Sequence, residues 1–408
     1  MTDTLTPDWA SLRALFPGLQ SKTYFDTASR GLLASPSITA INAMLERRLM
    51  GTADKAEMFA LIERVRALVA QLIHAQSPTE IAYTKNVSEG LNIVASAVDW
   101  KRGDKVILCP ELEHPSNLYP WLNLAERVGI EIVYIHSHDG FMPVEEMIAA
   151  IDDRTKVVTC SFVTFAPGLR SDLQRLAEVC DAREVLLLVD AAQGIGILDL
   201  DVSSLPVAAV SFSTQKGLLA LYGMGFLYVR KDWAEKLSPV YLSRFSVDLG
   251  SGSHEASSSA SYGLLPAALR YEVGNYNYIG AAGVEPALEI LLKIGMPQVE
   301  SRVLALNAQI VSGMQALDYP VFASHDGIHR GHMVAIGDAL GTEHDATSDQ
   351  DIQDFYAYLK EHEVGATIRR GLIRLSTHFY NDESDVAKLL TLAKNWKDGT
   401  SSAQRRTA

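Results

Sequence analysis

The 408-residue sequence lacks several features that would assign it to a common protein class. It has only three cysteines, Cys109, Cys160 and Cys180, and no two of them are close together. This excludes a disulfide framework and a cysteine-based zinc site, and it favours a reducing environment. The N-terminus has no basic stretch followed by an apolar core, and no apolar run approaches the ~20 residues of a membrane-spanning helix. We therefore expect a cytoplasmic protein that does not insert into membranes.

Positive charge is also scarce. The chain has 36 Lys and Arg against 49 Asp and Glu, which gives a formal net charge of −13. Because nucleic acids and anionic membranes are bound by clustered cations, this balance disfavours both as partners. It still leaves room for a local cationic pocket that binds a small anion.

Motifs of three large enzyme classes are missing as well. The sequence contains no G-x-x-x-x-G-K-[ST] motif, which excludes a P-loop nucleoside triphosphatase. It also contains no G-x-S-x-G motif, so there is no indication of a serine hydrolase. A nicotinamide oxidoreductase would have G-x-G-x-x-G after its first strand. The pairs Gly194/Gly196 and Gly223/Gly225 lack the third glycine and occur far downstream.

The hydrophobic content of 48% indicates a folded chain of two or three domains. Between residues 81 and 229, short apolar runs alternate with segments of helical periodicity. The runs are IAYT at 81, KVILC at 105, IEIVYI at 130, KVVTCSFV at 156, EVLLLVD at 184, AAVSFS at 208 and GFLYV at 225. Near-continuous apolar strands separated by helices predict an α/β domain with a mainly parallel central sheet and helices on both faces.

The pattern changes after this region. Residues 249–262 are rich in glycine and serine, which predicts a surface linker or a lid over a site. Helical and strand patterns then follow one another in an order typical of a small α+β domain. We predict an N-terminal arm over 1–20, a large α/β domain over 21–270, a small α+β domain over 271–397 and a disordered tail over 398–408.

Polar residues follow three of the predicted strands. Asp190 ends the run EVLLLV, Lys216 follows AAVSFS, and Asn86 and Ser88 follow IAYT at the start of a helix. Ligands of open α/β sheets bind beyond the carboxyl ends of the strands, and a helix N-terminus binds phosphate. Taken singly, Asn86 or Ser88 could simply cap a helix, and a lone lysine is usually solvated. An aspartate and a lysine on successive strand ends instead indicate a buried lysine that acts as a nucleophile.

In combination, these motifs resemble those of fold-type I pyridoxal-phosphate (PLP) enzymes. The closer resemblance is to class V aminotransferases, which include cysteine desulfurases, isopenicillin N epimerase-like proteins and kynureninase. It extends from YFDTASRG at 24 to IRLSTHFYNDESD at 373. The resemblance implies the fold of a fold-type I PLP-dependent transferase, PLP as the cofactor and a homodimer as the assembly.

The resemblance also implies roles for cofactor-binding residues. Lys216 in STQKG matches the lysine that forms a Schiff base with PLP and then transfers the Cα proton. Asp190 in VDAAQG matches the partner of the pyridinium nitrogen, and His114 in ELEHPSNLYPW matches the histidine that stacks on the ring. The other matching positions are Val87, Ser88, Ser213 and Gln215 around the phosphate, Gln193 at the ring 3-oxygen and Asn275, which would reach the phosphate of the neighbouring subunit.

Substrate contacts are implied in the same way. Arg374 in GLIRLSTHFYN matches the arginine that holds the substrate α-carboxylate, a group that guanidinium binds in bidentate fashion. Arg369 and Arg370 lie close by in sequence. They would take a second anionic group or pair with surface acids, and we favour the pairing. The segment expected to close over the substrate is YFDTASRG, with Asp26, Ala28 and Ser29.

Three departures from the family pattern bear on function. Gln215 stands where many desulfurases have histidine, and Phe165 stands where some members have asparagine. The C-terminal third of the chain contains no cysteine, although a desulfurase carries its sulfur-accepting thiol near that region. A standard cysteine desulfurase is therefore disfavoured.

The resemblance thus implies an enzyme that acts at Cα of an amino acid, and transamination is the first expectation. A β-eliminating lyase, including a C–S lyase, is the main alternative, and an amino-acid epimerase is another. A catalytically silent binding protein is less favoured because Asp190 and Lys216 are both present. No metal site is expected.

Overall fold

A computed structural model describes residues 7–248, 262–322, 327–338 and 340–407 of the chain, with side chains up to residue 399. Of the segment 249–262, which the sequence predicts to be a linker or a lid, all but Tyr262 lies outside the described residues.

Helices and strands alternate along the described residues. The twelve α-helices there are α1 (Trp9–Arg13), α2 (Ser35–Leu49), α3 (Lys55–Leu72), α4 (Val87–Ala97), α5 (Tyr119–Val128), α6 (Val144–Ala149), α7 (Leu173–Ala182), α8 (Lys231–Lys236), α9 (Tyr278–Ile294), α10 (Met296–Ala316), α11 (Gln350–Glu361) and α12 (Glu383–Thr407). The fifteen strands in the same part of the chain are β1 (Thr23–Tyr24), β2 (Ile81–Thr84), β3 (Lys105–Leu108), β4 (Glu131–Tyr134), β5 (Thr155–Ser161), β6 (Leu186–Asp190), β7 (Ala209–Ser213), β8 (Gly225–Val229), β9 (Val247–Asp248), β10 (Gly263–Leu264), β11 (Val321–Phe322), β12 (Met333–Ile336), β13 (Val364–Gly365), β14 (Thr367–Arg369) and β15 (Leu372–Ser376).

The central sheet has seven strands in the order β2-β8-β7-β6-β5-β3-β4. Strands β7, β6, β5, β3 and β4 are parallel to one another, whereas β8 is antiparallel to both of its neighbours. Every residue of β6, β7 and β8 is buried, because helices cover both faces of the sheet. The prediction of a mainly parallel α/β sheet is confirmed.

A second sheet of four antiparallel strands, in the order β11-β12-β15-β14, lies in the C-terminal part of the chain. Its core contains Leu306 of α10, Phe355 of α11 and Leu389 of α12. The N-terminal segment joins this unit through the parallel pairing of β1 with β13. Arg13 reinforces the connection by donating hydrogen bonds of 2.7 and 3.0 Å to Asp385.

The structure bears on two predicted boundaries. Helix α9 packs against α2 and α3, and its buried side chains belong to the core of the large sheet. We therefore propose that the division between the two units follows α9 rather than residue 270. The structure also differs from the predicted disordered tail over 398–408, because α12 continues to Thr407. That stretch has one glycine, Gly399, and no proline, so nothing in it forces the helix to end.

A search of the described helices for a span both long and apolar enough to traverse a bilayer finds none.

Candidate active site

Two neighbouring strands of the central sheet carry the predicted catalytic pair. Strand β6 ends at Asp190, and β7, which runs parallel to it, ends three residues before Lys216. Because the carboxyl ends of parallel strands meet at one edge of a sheet, both residues lie at the same crevice. Asp190 is buried, and its Oδ1 accepts a hydrogen bond of 2.9 Å from the Ala192 N–H.

The electrostatics of this pair are dominated by burial. Burial raises the pKa of Asp190, although the Ala192 N–H and the charge of Lys216 act in the opposite direction. Burial lowers the pKa of Lys216 to about 8; Asp190 opposes this change, while Arg374 and Arg369 add to it. A lysine with this pKa is partly neutral near pH 7, as a nucleophilic amine must be. Among the described residues, no cation fully offsets the burial of Asp190, and the charge of Lys216 reduces its effect only in part.

The first turn of α4 lies beside this crevice. Asn86 caps the helix, since its Oδ1 accepts a hydrogen bond of 2.9 Å from the Glu89 N–H. Val87 and Ser88, the first two residues of the helix, are therefore not needed as caps. The Oγ of Ser88 donates to the Oγ of Ser116 at 2.9 Å. The unpaired N–H groups and the dipole of such a helix start attract an anion.

His114 presents a neutral ring. Its Nδ1 accepts a hydrogen bond of 3.2 Å from the Ser116 N–H, and its ring centroid lies 5.7 Å from those of Phe165 and His344, with both rings edge-on. Burial, together with the charge of Lys216, lowers the pKa of His114 to about 4. A neutral imidazole suits a stacking role because it adds no cation to the site.

Several buried polar atoms here have no hydrogen-bond partner within the described part of the chain. They include Oε1 of Gln193, Oγ of Ser213 and Nε of Arg374. A buried polar atom without a partner is unfavourable, so such a group indicates a bound molecule that satisfies it. A planar ligand with a phosphate to accept from the Ser213 hydroxyl and a ring hydroxyl to donate to Oε1 of Gln193 would satisfy both groups, and a basic ring nitrogen would suit the buried carboxyl of Asp190. The residues present therefore fit PLP.

Arg374 projects from β15 and is 2% exposed. Its Nη1 donates to the Phe165 carbonyl at 2.9 Å, and its Nη2 donates to the Ser29 Oγ at 3.0 Å. Burial lowers the pKa of Arg374 to about 10; Arg369 adds to this change and Asp26 opposes it. A buried guanidinium whose Nε–H has no partner among the described residues is suited to an incoming carboxylate.

The N-terminal segment connects the substrate side to the lysine loop. The Ala28 N–H donates to the Ser376 Oγ at 2.8 Å, and Asp26 forms a β-bridge with Ser376. The Gly31 N–H donates to the Gln215 carbonyl at 2.8 Å. Asp26 is buried, and this burial raises its pKa. The segment thus contacts both the strand that carries Arg374 and the loop that carries Lys216.

Two residues that the sequence analysis missed form hydrogen bonds that fix the segments around Lys216 and His114. The Nε2–H of His378 donates to the Gly217 carbonyl at 3.0 Å, directly after Lys216. Glu113 is buried next to His114, and its carboxylate accepts hydrogen bonds of 2.7 and 2.8 Å from the N–H and Oγ of Ser161. The sequence offered one indication of their roles. His378 lies in the motif chosen for Arg374, and Glu113 lies in the motif chosen for His114.

Three other residues singled out in the sequence, Asn275, Gln215 and Arg369, form hydrogen bonds or ion pairs with other residues of the chain. Asn275 is exposed, accepts a hydrogen bond of 3.3 Å from Arg244, and lines a cavity near the start of α4. Its contribution to a second subunit stays a prediction. Gln215 contacts the N-terminal segment through its carbonyl. Arg369 pairs with Asp345 at 2.7 Å. Within the described ranges, no cluster of three or more His, Cys, Asp or Glu could hold a metal ion.

The sequence matches the family model of aminotransferase class-V over residues 34–389. The chain belongs to this family. A probable cysteine desulfurase of Pyrococcus abyssi is 28% identical over 391 residues, which cover 93% of this chain and 95% of the relative.

Two solved structures of a protein named C-DES are similar to this chain, and one of them contains PLP. A mutant of C-DES with glycine covalently linked to the PLP cofactor has a TM-score of 0.82 and 25% identity, and the match covers 95% of this chain and 99% of C-DES. The cystine C–S lyase C-DES with its product cysteine persulfide has a TM-score of 0.81 and 25% identity, covering 93% and 99% of the two chains. The class V chain described here is thus a fold-type I enzyme that depends on PLP, as the sequence motifs implied.

Proposed function

We propose that this class V enzyme is a β-eliminating lyase that cleaves the bond between Cβ and sulfur in an L-amino acid, without passing sulfur to an enzyme thiol. The observation that carries the proposal is the gathering of Lys216, Asp190 and Arg374 at one crevice to which no cysteine contributes. The names of the relatives support carbon–sulfur chemistry, and the state of the cysteines separates this chain from a persulfide relay.

All three thiols are inaccessible. Cys109, Cys160 and Cys180 are each 0% exposed. Burial raises the pKa of all three, that of Cys180 to about 12. A sulfur-accepting cysteine has to be an exposed thiolate. The sulfur of the substrate would therefore leave as a free thiol or sulfide.

Each residue of the site would have a role that follows from its position. PLP, when bound, supplies an electron sink that stabilises negative charge at Cα. Asp190 would hold the ring nitrogen, and Lys216 would carry the cofactor and take the proton from Cα. Arg374 would orient the substrate through its α-carboxylate. The N-terminal segment, which is bonded to both sides of the crevice, would exclude water from the reacting atoms.

Transamination uses the same proton transfer at Cα and stays a prediction from the sequence. It differs from elimination in the fate of the side chain, which is retained in the keto acid. Epimerisation differs again, because the proton returns to the opposite face of Cα. The three reactions therefore yield different products from one substrate.

Incubation of the holoenzyme with an amino-acid panel, followed by mass spectrometry, tests the proposal. We expect pyruvate, ammonium and a free thiol from S-substituted L-cysteines, and no product from the Lys216→Ala variant. A keto acid that retains its side chain, together with aminated cofactor, would establish a transaminase instead. Recovery of the D-amino acid would establish an epimerase. Either of these results, without pyruvate, overturns the lyase proposal.

A further inference from the structure

The hairpin formed by β14 and β15 places a second arginine beside Arg374. Thr367 pairs directly with Arg374, and Arg369 pairs with Leu372. Since side chains alternate along a strand, Thr367, Arg369, Leu372 and Arg374 project from the same face of the sheet. Arg369 is therefore the diagonal neighbour of Arg374, at a backbone separation of about 7–8 Å.

The charge of Arg369 reaches the reacting groups. It lowers the pKa of Lys216, His114 and Arg374, although burial is the larger cause in each case. An arginine that was merely solvated on the outer surface would not affect all three. Arg369 thus lies on the substrate side of the crevice, near the arginine expected to hold the α-carboxylate.

The hydrogen bonds of Arg369 leave much of its guanidinium available. Its Nη1 donates to the Ile368 carbonyl at 2.9 Å and contacts Asp345 at 2.7 Å. The Nε and Nη2 atoms of Arg369 make no hydrogen bond to any residue that the structure describes. Arg370 differs, because its guanidinium donates to the carbonyls of Glu111 and Gly341 and is committed to the backbone.

Asp345 is an exposed partner at the rim of the site, and its Oδ1 also contacts Nδ1 of the neighbouring His344 at 2.5 Å. The side chain of Asp345 is 62% exposed, compared with 22% for Arg369. The neighbouring His344 stacks on Phe165 with ring centroids 5.5 Å apart and lies edge-on to His114. An ion pair with so exposed a carboxylate contributes little stability, so a substrate carboxylate could replace Asp345 at low cost.

We propose that Arg369 binds a second carboxylate carried by the substrate side chain, in exchange for Asp345, and thereby selects amino acids with an anionic group on sulfur. The inference rests on the proposed function for its chemistry. Lys216 takes the Cα proton, the Cβ–S bond breaks with its electron pair on sulfur, and the sulfur is protonated to a thiol. Water then converts the three-carbon remainder to pyruvate and ammonium, so the sum is one substrate and one water to one thiol, one pyruvate and one ammonium.

A binding experiment tests the carboxylate site without turnover. Glutarate and valerate have the same number of carbons but differ by one carboxylate, and their affinities for the holoenzyme are measured by calorimetry. We expect glutarate to bind at least about 10-fold more tightly, because a charge-assisted bidentate contact is gained. Arg369→Met should abolish the difference, whereas Asp345→Asn should increase the affinity for glutarate several-fold. Arg175→Met removes an ion pair with Glu145, a carboxylate about as exposed as Asp345, and should change neither affinity.

A kinetic comparison then tests selection. The ratio of kcat/KM for S-carboxymethyl-L-cysteine to that for S-methyl-L-cysteine should exceed about 10 in the wild type and fall toward 1 in Arg369→Met. Equal affinity for glutarate and valerate in the wild type, or a glutarate preference that survives Arg369→Met, overturns the inference. A glutarate preference without pyruvate release leaves the Arg369 site standing and refutes the lyase function alone.

Discussion

The Gly31 N–H donates a hydrogen bond of 2.8 Å to the carbonyl of Gln215, the residue before Lys216. The approach is so close that a Cβ on Gly31 would overlap the carbonyl oxygen of Lys216 itself. The N-terminal segment can therefore contact the lysine loop only if residue 31 is glycine.

We expect Gly31→Ala to push the N-terminal segment away from the Lys216 loop. Overpacking of this kind costs about 1–3 kcal/mol of the free energy of unfolding, measurable by urea denaturation. Turnover should also fall, because the segment no longer shields the crevice. Gly18→Ala is the matched control, since nothing lies within 4 Å of a Cβ at that position. Equal stability of the two variants would show that the contact is not tight.

Strand-end reasoning predicted the positions of Asp190 and Lys216 because both depend on local patterns. An apolar run followed by a polar residue specifies where a buried strand ends, and the parallel order of the strands brings such ends together. The helix start at Val87 was predictable for the same reason, since an N-cap residue and helical periodicity mark it locally.

The contacts of His344 and Asp345 could not be predicted in this way. They lie between β12 and α11 in a segment without a motif, and they reach His114 and Arg369 only through tertiary packing. Helix α9 was assigned to the small domain for a related reason. Its apolar face is equally compatible with either core, and only its packing against α2 and α3 decides between them.

Asp190→Asn separates the electrostatic role of Asp190 from its structural one. The asparagine Oδ1 can still accept the hydrogen bond from the Ala192 N–H, but the negative charge is lost. We expect PLP affinity to fall by about 100-fold or more, as expected when a buried charge loses its partner. The apoprotein should unfold at the same or a higher urea concentration, because burial of the carboxylate is itself unfavourable. Absorbance titration with PLP measures the affinity, and an unchanged value would remove Asp190 from the cofactor site.

Thiol reagents should leave the native enzyme active. Because Cys109, Cys160 and Cys180 are fully buried and burial raises their pKa values, the native protein should not react with iodoacetamide on the timescale of an assay. Mass spectrometry should show modification only after denaturation. Loss of pyruvate release in step with alkylation of one native cysteine would contradict this and would reinstate a persulfide relay.

The rate at which PLP attaches to the apoprotein should depend on pH through Lys216. Its pKa, lowered to about 8 by burial, means that the neutral amine is the minor form below that pH and the major form above it. The attachment rate should therefore rise about tenfold per pH unit well below this pKa and level off above it. His114, with a pKa lowered to about 4, does not titrate in this range. Stopped-flow absorbance measures the rate, and Nα-acetyl-lysine in the same buffers, after division by its own fraction of neutral amine, corrects for the ionisation of PLP. A rate that continues to rise to pH 10 would mean that Lys216 titrates like an exposed lysine and that the crevice does not activate it.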